Sequence, residues 1–440
     1  MSGQIDELTK KITGTLSVQT LQELAIQSGF CQRRSKMDML SFLKMVLFDP
    51  ITMEQPSLDQ HCRLFLKDQG KSFCKQALDK RFNSQAVIFL KSLLERCLNH
   101  QLTRKLPSVY GDHFSAIRLM DSTEYKLPEA LASDFPGFNG DAPKACMQIQ
   151  FEYDILSSRL KSFDMMGARI NDFAYAHPLL DNVHPKELII RDLGYYRIDS
   201  FKKIEARGAY YISRRLPTTK IYECLSEDAL DYKTLYQRLK KSRRGYLDMP
   251  VYLGEEAKFP VRLIVMLLPA EAVKRRRKKK IYRKNAHPEI YDYLQYMNVF
   301  ITNVPDTMLS VNQINDLYRI RWQVEIMFKT WKSILKIDKV RKMKSDRVKC
   351  YLLGRFLWIL LNWEMYALFN VHTLAAKKMF LSIYKFYAIV KDHVHLLQEH
   401  ILRQRKMLNS WLKSLLDNVW RFGIKDEKKG RNLIKLLAIR

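Results

Sequence analysis

The chain has 440 residues, is 47% hydrophobic and carries a formal net charge of +29. This hydrophobic content excludes a disordered chain and leaves room for about two to four domains. The excess of Lys and Arg favours a polyanionic partner, nucleic acid before a membrane, because clustered cations displace counterions when they bind phosphates. The alternative is a basic housekeeping protein whose charge only keeps it soluble.

The cysteines and the N-terminus indicate a cytoplasmic protein. Seven cysteines without a Cys-x-x-Cys motif favour a reducing compartment and argue against a structural zinc site. The first residues are polar and do not resemble a signal peptide. The most membrane-like run, 351–369, contains Arg355 and Glu364, so we interpret it as a buried helix and expect no membrane partner.

Residues 1–104 are predicted to be a helical DNA-binding region. Amphipathic patterns predict helices at 16–26, 37–47, 57–66, 72–82 and 84–98, with a break at 68–70. The segment 57–98 is typical of a helix-turn-helix, although many helical hairpins with this pattern never contact DNA. The second helix of this segment would present four polar or basic side chains to DNA: Lys75, Gln76, Lys80 and Arg81.

Residues 105–215 change to an α/β pattern. Strands are predicted at 113–121, 145–156, 163–169, 187–192 and 209–213, with a helix at 198–207. The first of these strands ends in Asp121 and the fourth in Asp192. Strand ends of α/β sheets are places where ligands bind. For either aspartate alone, a role in a turn or a helix cap is the commoner alternative.

In residues 216–297 apolar and polar side chains alternate over short segments separated by turns, which predicts a mostly β insertion. Near its end lies a basic run at 274–284, which includes Arg276 and Lys279 and should be mobile without an anion. From the residues alone, this run could be either a nuclear-targeting signal or a clamp on a DNA end. Residues 298–305 then return to the sheet.

A single helix is predicted over 318–332, opened by Thr307 or Ser310. One arc of this helix carries a carboxylate, several cations and aromatic side chains: Tyr318, Arg321, Trp322, Glu325, Lys329 and Lys332. This arc suits a metal ion beside a polyanion. The alternative is a solvated face, stabilised by a few tenths of a kcal/mol from the Arg321–Glu325 pair.

The remaining chain is helical. Residues 298–370 would complete the core, with an apolar helix at 348–368 packed beneath the sheet. Residues 371–440 carry further apolar stripes. These stripes either mediate self-association or wrap the catalytic core of the same chain.

The spacing Tyr-x2-Arg-x3-Glu-x6-Lys, formed by Tyr318, Arg321, Glu325 and Lys332, resembles the signature of bacterial insertion-sequence transposases of the DDE class, in particular the IS4-like family. The segments that begin at Asp121 and Asp192 resemble the two aspartate segments of this class, and the resemblance covers roughly residues 105–340. It implies an α/β fold in which an RNase H-like core is interrupted by a mostly β insertion and flanked by helical regions.

The resemblance also implies a mechanism. Asp121, Asp192 and Glu325 would be catalytic and would bind Mg²⁺, with Mn²⁺ able to substitute. Tyr318, Arg321 and Lys332 would contact phosphates of double-stranded DNA, both at terminal inverted repeats and at the target, in a homodimeric complex. The family cuts through a hairpin, with a Trp stacked on a flipped base.

This sequence has no Trp between Asp192 and Arg321, so Tyr246 or Tyr252 is the candidate for stacking on the base. Two alternatives stay open beside the transposase. One is a DNA-binding relic of a transposase that no longer catalyses, and the other is an RNase H-like nuclease without strand transfer.

Overall fold

The computed structural model describes residues 2–32, 37–52, 56–138, 142–225, 228–280, 292–402, 407–426 and 432–440. The chain divides into two compact units, each built from three separate stretches. The first unit contains Met1–Leu106, Ser122–Arg169 and Gln323–Ile434, and the second contains Pro107–Asp121, Ile170–Trp322 and Lys435–Arg440. These units cut across the domains predicted from the sequence, because the strand Ala116–Lys126 and the signature segment each contribute to both.

The α-helices in the described residues are α1 (Ser2–Thr15), α2 (Val18–Gln27), α3 (Met39–Leu47), α4 (Asp49–Thr52), α5 (Leu58–Gln69), α6 (Lys75–Asp79), α7 (Ser84–Asn99), α8 (Asp172–Ala176), α9 (Ile198–Ala206), α10 (Tyr232–Lys241), α11 (Ala270–Lys280), α12 (Val311–Ile320), α13 (Trp322–Ile334), α14 (Ser345–Lys377), α15 (Ile383–Asp392), α16 (Val394–Leu402), α17 (Leu408–Phe422) and α18 (Leu433–Leu436). The strands are β1 (Ala116–Lys126), β2 (Cys146–Asp154), β3 (Arg159–Gly167), β4 (Glu187–Arg191), β5 (Tyr210–Arg214), β6 (Ile221–Tyr222), β7 (Tyr246–Leu253), β8 (Phe259–Leu267) and β9 (Met297–Thr302).

The N-terminal helices of the first unit begin at the residues that favour helix starts. Ser17, Asp38 and Asn83 each accept a hydrogen bond from a backbone N–H of the following turn, and Ser57 forms a capping box with Gln60. The helices α2, α3, α5 and α7 match those predicted at 16–26, 37–47, 57–66 and 84–98.

The predicted second helix of the helix-turn-helix, 72–82, is wrong in length. Only the five residues of α6 are helical, because the Cys74 side chain caps the helix by accepting from the Ala77 N–H at 3.4 Å. Asn83 then starts α7 after a short turn. The element that was predicted to read DNA is therefore little more than one helical turn.

Aromatic side chains form the core of the first unit between its strands and its helices. Strands β2 and β3 are antiparallel, with Phe151 opposite Phe163. The Trp331 ring lies 5.0 Å from the Phe151 ring and 5.1 Å from the Phe163 ring, and Phe356 of α14 lies 4.3 Å from Phe163. These contacts pack α13 and α14 against the sheet.

Helix α14 is long and apolar enough to cross a membrane by length and composition, but 89% of its most apolar window is buried inside the protein. Arg355 and Glu364 are buried with it. Glu364 forms an ion pair with Lys11 of α1. This agrees with the interpretation of 351–369 as a buried helix. The length and apolar composition of α14 alone are weak evidence for a membrane protein.

The strands form one nine-stranded mixed sheet, to which the second unit contributes the first half of β1 and strands β4 to β9. The first half of β1 pairs in parallel with β4, and β4 pairs in parallel with β5. Antiparallel pairs then join β5 to β9, β9 to β8, β8 to β7 and β7 to β6. The strand order is β3-β2-β1-β4-β5-β9-β8-β7-β6. Its first five strands have the arrangement expected of the predicted RNase H-like core.

The insertion at 216–297 extends this sheet and also contains helices. Strands β6, β7 and β8 lie in it, as predicted, but so do α10 and α11. Leu235 and Leu239 of α10 are fully buried in a cluster with Val251 and Leu253 of β7. The helix was missed because its mean composition is polar, with a buried stripe of few residues.

Candidate catalytic site

Asp121 and Asp192 lie at equivalent positions of two neighbouring parallel strands. Strand β4 ends at Arg191, so Asp192 follows it directly, as predicted. In the register of β1 with β4, Met120 lies opposite Arg191. Asp121 follows Met120 and Asp192 follows Arg191, and adjacent strands lie about 4.8 Å apart. The pairing of β1 with β4 therefore brings these two carboxylates together.

The prediction that β1 ends at Asp121 is wrong. The strand continues to Lys126. Residues 122–126 are mostly polar and partly exposed, so their composition resembles a loop, although they pair within the sheet. Asp121 consequently lies within a strand, where the backbone on both sides restrains it.

The turn after Asp192 explains the glycine of its motif. A Cβ atom at Gly194 would lie 2.8 Å from Oδ2 of Asp172, which is closer than real Cβ contacts. Asp192 itself has an extended backbone and precedes the short 3-10 helix Leu193–Tyr195. Glycine at this position lets the chain turn close to α8 directly after the carboxylate.

Arg321 joins the two aspartates. Its Nη1 donates to Oδ2 of Asp121 at 2.6 Å, and its Nε lies 4.0 Å from Oδ1 of Asp192. The Asp121 side chain is 16% exposed and that of Asp192 is 46% exposed. The guanidinium neutralises part of the repulsion between two carboxylates that the sheet holds side by side.

Tyr318 adds a neutral donor to this cluster. Its hydroxyl donates to Oδ1 of Asp192 at 3.4 Å. Burial, followed by the negative charge of Asp192, raises the pKa of Tyr318 to about 12. The ring packs 5.2 Å from Phe300, and the Arg214 guanidinium lies 5.7 Å from its centre. Tyr318 is therefore a protonated, positioned hydrogen-bond donor at neutral pH.

The predicted single signature helix is two helices. Ser310 caps α12 as predicted, but α12 ends at Ile320, and the Arg321 N–H bonds to the Tyr318 carbonyl in a tight turn. Glu325 lies in the first turn of α13, where a carboxylate is favoured by the helix dipole. The segment over 318–332 is thus divided between two helices at Arg321, although Arg321 keeps right-handed helical backbone angles, with φ −46° and ψ −35°.

The apolar positions of the signature segment are all buried: Leu317, Ile320, Val324, Met327, Trp331 and Ile334. Of the polar positions, Trp322 and Glu325 are half-buried and Lys329 is exposed. Lys332 is half-buried, and its Nζ donates to the Glu124 carbonyl at 3.0 Å. Burial lowers the pKa of Lys332.

A metal ion needs more ligands than the two aspartates provide. Among the described residues, no group of three or more His, Cys, Asp or Glu side chains is placed to hold one. The chemistry of Asp121 and Asp192 nevertheless suits Mg²⁺, which prefers carboxylate oxygens and keeps several waters. A cation, the Arg321 guanidinium, already lies against both of them.

The predicted DNA-contacting residues of the helix-turn-helix differ in their surroundings. Gln76 and Lys80 are exposed, and Lys75 is exposed with its Nζ 3.3 Å from Oδ1 of Asp59. Arg81 is half-buried: it lies over the Phe30 ring and donates to the Met37 carbonyl at 3.5 Å, and burial lowers its pKa. Arg81 is better explained as a packing residue.

Arg276, another predicted DNA contact, is hydrogen-bonded within the protein. Its guanidinium donates to the carbonyls of Leu294 and Met297 at 2.7 and 3.0 Å and to Oδ1 of Asn298 at 2.6 Å. Burial lowers its pKa to about 10. Arg276 therefore anchors α11 to β9. Lys279 lies in the same helix, but its side chain is outside the described residues.

Two further placements concern the insertion and its neighbour β5. Tyr246 and Tyr252, the candidates for base stacking, are both half-buried on β7. Sequence analysis did not single out Arg214, the residue over the Tyr318 ring, which also donates to Oδ1 of Asn298 at 3.3 Å. The sequence feature that could have identified Arg214 is the Arg214–Arg215 pair directly after the strand predicted at 209–213.

Comparison with known proteins gives consistent matches. The family model described as "Transposase DDE domain" matches residues 112–361. The chain is 30% identical to the transposase for insertion sequence element IS231B of Bacillus thuringiensis subsp. berliner, over 98% of this chain and 93% of that protein. It is 27% identical to the transposase for IS1151 of Clostridium perfringens, over 100% and 98% of the two chains. A solved piggyBac transposase synaptic complex with hairpin DNA aligns with a TM-score of 0.43 and 12% identity, over 97% of this chain and 86% of that one.

Proposed function

Because this chain belongs to the DDE transposase family, we propose that it binds the inverted repeats at the ends of an insertion sequence, cuts the DNA there and joins the freed 3′-OH ends to target DNA. The observation that carries this proposal is the register of β1 with β4, which sets Asp121 beside Asp192 with Arg321 across both. Asp121 and Asp192 are also the two aspartates that the resemblance of the sequence implies to be catalytic.

We assign the metal site to Asp121, Asp192 and Glu325. Glu325 follows Arg321 by four residues and would supply the third carboxylate. Mg²⁺ held by these carboxylates, or Mn²⁺ in its place, would supply an activated water and charge neutralisation at the phosphorus and at the leaving oxygen. The carboxylates position this chemistry, and Arg321 keeps the two aspartates from repelling each other.

In the first step, a water oxygen bonds to phosphorus and the P–O3′ bond breaks, which leaves a 3′-OH at the transposon end. This hydroxyl then attacks a phosphate of the opposite strand and closes a hairpin, while the P–O3′ bond at that phosphate breaks and frees the 3′-OH of the flanking DNA. A second water then attacks the hairpin phosphate and frees the 3′-OH of the transposon end again. In the last step the 3′-OH attacks a phosphate of target DNA. Arg321 and Lys332 hold phosphates beside the reacting one, with Trp322 and Lys329 as further contacts of the DNA end.

Three finer features belong to the same proposal. Tyr246 or Tyr252 stacks on the base that leaves the duplex when the hairpin forms. The exposed Lys75, Gln76 and Lys80 contact the inverted repeat. The protein acts in the bacterial cytoplasm, as a homodimer on DNA.

Cleavage of a labelled duplex that carries the terminal repeat tests the proposal. We expect wild-type protein with Mg²⁺ or Mn²⁺ to cut at the repeat boundary, and Glu325→Gln to bind the duplex equally well but to lose at least 10²-fold in rate, because a metal ligand is gone. The matched control is Asp417→Asn, which removes an exposed carboxylate on α17 and should cut like wild type.

The alternatives give different results in the same assay. Salt-sensitive binding without cleavage under either metal would identify a DNA-binding relic. Cleavage that never yields strand-transfer products with a second duplex would identify a nuclease. Equal cleavage by Glu325→Gln and wild type would remove Glu325 from the site.

A further inference from the structure

A second basic segment of the insertion lies outside the run at 274–284. Helix α10 ends with Lys240 and Lys241, and a turn through Arg243 and Arg244 follows before β7 begins at Tyr246. All four side chains are exposed. Gly245 has a φ of +70°, a conformation that favours glycine and lets the turn close between helix and strand.

Helix α11 presents its cations on the side opposite to Arg276. Arg276 points inward to β9, as described above. Lys274, Arg277 and Lys278 share the other face, since residues three and four apart lie on one side of a helix. All three are exposed. The inward arginine thus fixes which side of the helix faces solvent.

Two tyrosines connect α10 to α11. The Tyr236 ring of α10 stacks on the Tyr296 ring with centroids 5.0 Å apart and an interplanar angle of 27°. Lys240 Nζ lies 4.9 Å from the centre of Tyr236, and the Arg277 guanidinium lies 5.3 Å from the centre of Tyr296 and donates to its hydroxyl. A continuous ladder of cation, ring, ring and cation therefore joins the two basic segments.

The cations on this ladder keep the capacity to bind an anion. A lysine ammonium has three donors and a guanidinium five, so contact with a ring leaves most of them available. Within the described part of the chain, Lys240, Lys241, Arg243, Arg244, Arg277 and Lys278 form no ion pair with a carboxylate. Solvated charges are the common fate of such residues, but the ring contacts of Lys240 and Arg277 already reduce the freedom of these two side chains, which lowers the entropic cost of binding there.

We propose that Lys240, Lys241, Arg243, Arg244, Arg277 and Lys278, called here the insertion basic surface, bind the phosphate backbone of double-stranded DNA. The inference rests on the proposed function, since that function supplies DNA as the polyanion. Contacts to phosphates position a duplex without reading its sequence. The surface therefore holds terminal-repeat and unrelated duplexes alike.

The test measures duplex binding by fluorescence anisotropy without metal, over a range of salt concentrations. The variant is the triple substitution Lys241→Gln, Arg243→Gln and Arg244→Gln. The probes are two duplexes of about 30 base pairs, one with the terminal repeat and one with a random sequence. Each lost phosphate contact reduces the slope of log K against log salt by about 0.9. We expect the slope to fall by about 2 to 3 on both probes and the affinity near 0.15 M salt to fall at least about tenfold.

The matched control removes three exposed lysines elsewhere: Lys161→Gln, Lys202→Gln and Lys413→Gln. It should leave the slope within about 0.5 of wild type, so a triple variant that loses no more than this control overturns the inference. A loss confined to the terminal repeat also overturns it, because it would mean base reading. Should the triple variant not fold, Lys241→Gln alone must lower the slope by about 1. Wild-type protein that binds neither duplex would instead contradict the proposed function.

Discussion

Arg321 is the side chain that links Asp121 to Asp192. It contacts Asp121 and approaches Asp192 through different nitrogens of one planar group. A lysine has the same charge but a single point of contact. Retaining the charge at this position therefore does not retain the geometry.

We expect Arg321→Lys to lower the rate of cleavage at least about tenfold at saturating DNA, because an ammonium cannot span both carboxylates. Arg319→Lys is the control: two residues earlier, its guanidinium pairs with Asp316 in the same helix and is 42% exposed. Single-turnover cleavage of a labelled duplex gives both rates. If Arg321→Lys cleaves DNA as fast as Arg319→Lys, only the charge of Arg321 matters and not the shape of its guanidinium.

Tyr318 should titrate later than an ordinary tyrosine. Burial and the charge of Asp192 raise its pKa to about 12, so the unfolded chain ionises at this residue from about pH 10 while the folded chain does not. The stability that this residue contributes is complete below pH 10 and is lost between about pH 10 and 12. The difference in phenolate absorbance between wild type and Tyr318→Phe measures the titration. A step near pH 10 in folded protein would contradict the expected environment.

Helix α14 shows why close packing of elements needs particular residues. A Cβ atom at Gly354 would lie 2.0 Å from the Val46 carbonyl oxygen of α3. Glycine in the middle of a helix is unfavourable by about 1 kcal/mol relative to alanine. Here the approach of the two helices outweighs that preference.

We expect Gly354→Ala to lower the free energy of unfolding by about 1–3 kcal/mol, because the added methyl group must push α14 away from α3. Gly14→Ala is the control, since nothing lies within 4 Å of a Cβ atom at Gly14 in α1. That substitution should be neutral or stabilise by up to about 1 kcal/mol. Denaturant unfolding measures both values, and a stabilised Gly354→Ala variant would show that the helices can separate without cost.

The elements differ in how well the sequence predicts them. Strand β4 and the position of Asp192 followed from an apolar run that ends in a charge. The extension of β1 beyond Asp121 did not, because its polar residues are held in the sheet by pairing with distant strands. The break at Arg321 was missed because apolar spacing continues on both sides of it. Which arginine of α11 points inward was also unpredictable, since the answer depends on Asn298 and carbonyls outside the run.

For the molecule as a whole, the net charge of +29 sets its relation to DNA. Each phosphate that is neutralised releases counterions, so affinity depends steeply on salt. Part of this charge lies on the exposed side chains of the insertion basic surface.

We therefore expect the affinity of wild-type protein for a duplex to fall by about 10³-fold or more between 50 and 200 mM salt, which corresponds to at least about six phosphate contacts. Equilibrium anisotropy at fixed pH measures it, and a chloride-to-glutamate exchange controls for anion competition. A fall of less than tenfold would indicate that the charge serves solubility and not DNA binding.

The insertion leaves and re-enters the core through two strands that pair directly. Arg214 at the end of β5 lies opposite Phe300 of β9, and the Arg215 N–H bonds to the Val299 carbonyl. A segment whose two ends are neighbours can lengthen, shorten or be exchanged during evolution while the strands that carry Asp121 and Asp192 keep their pairing.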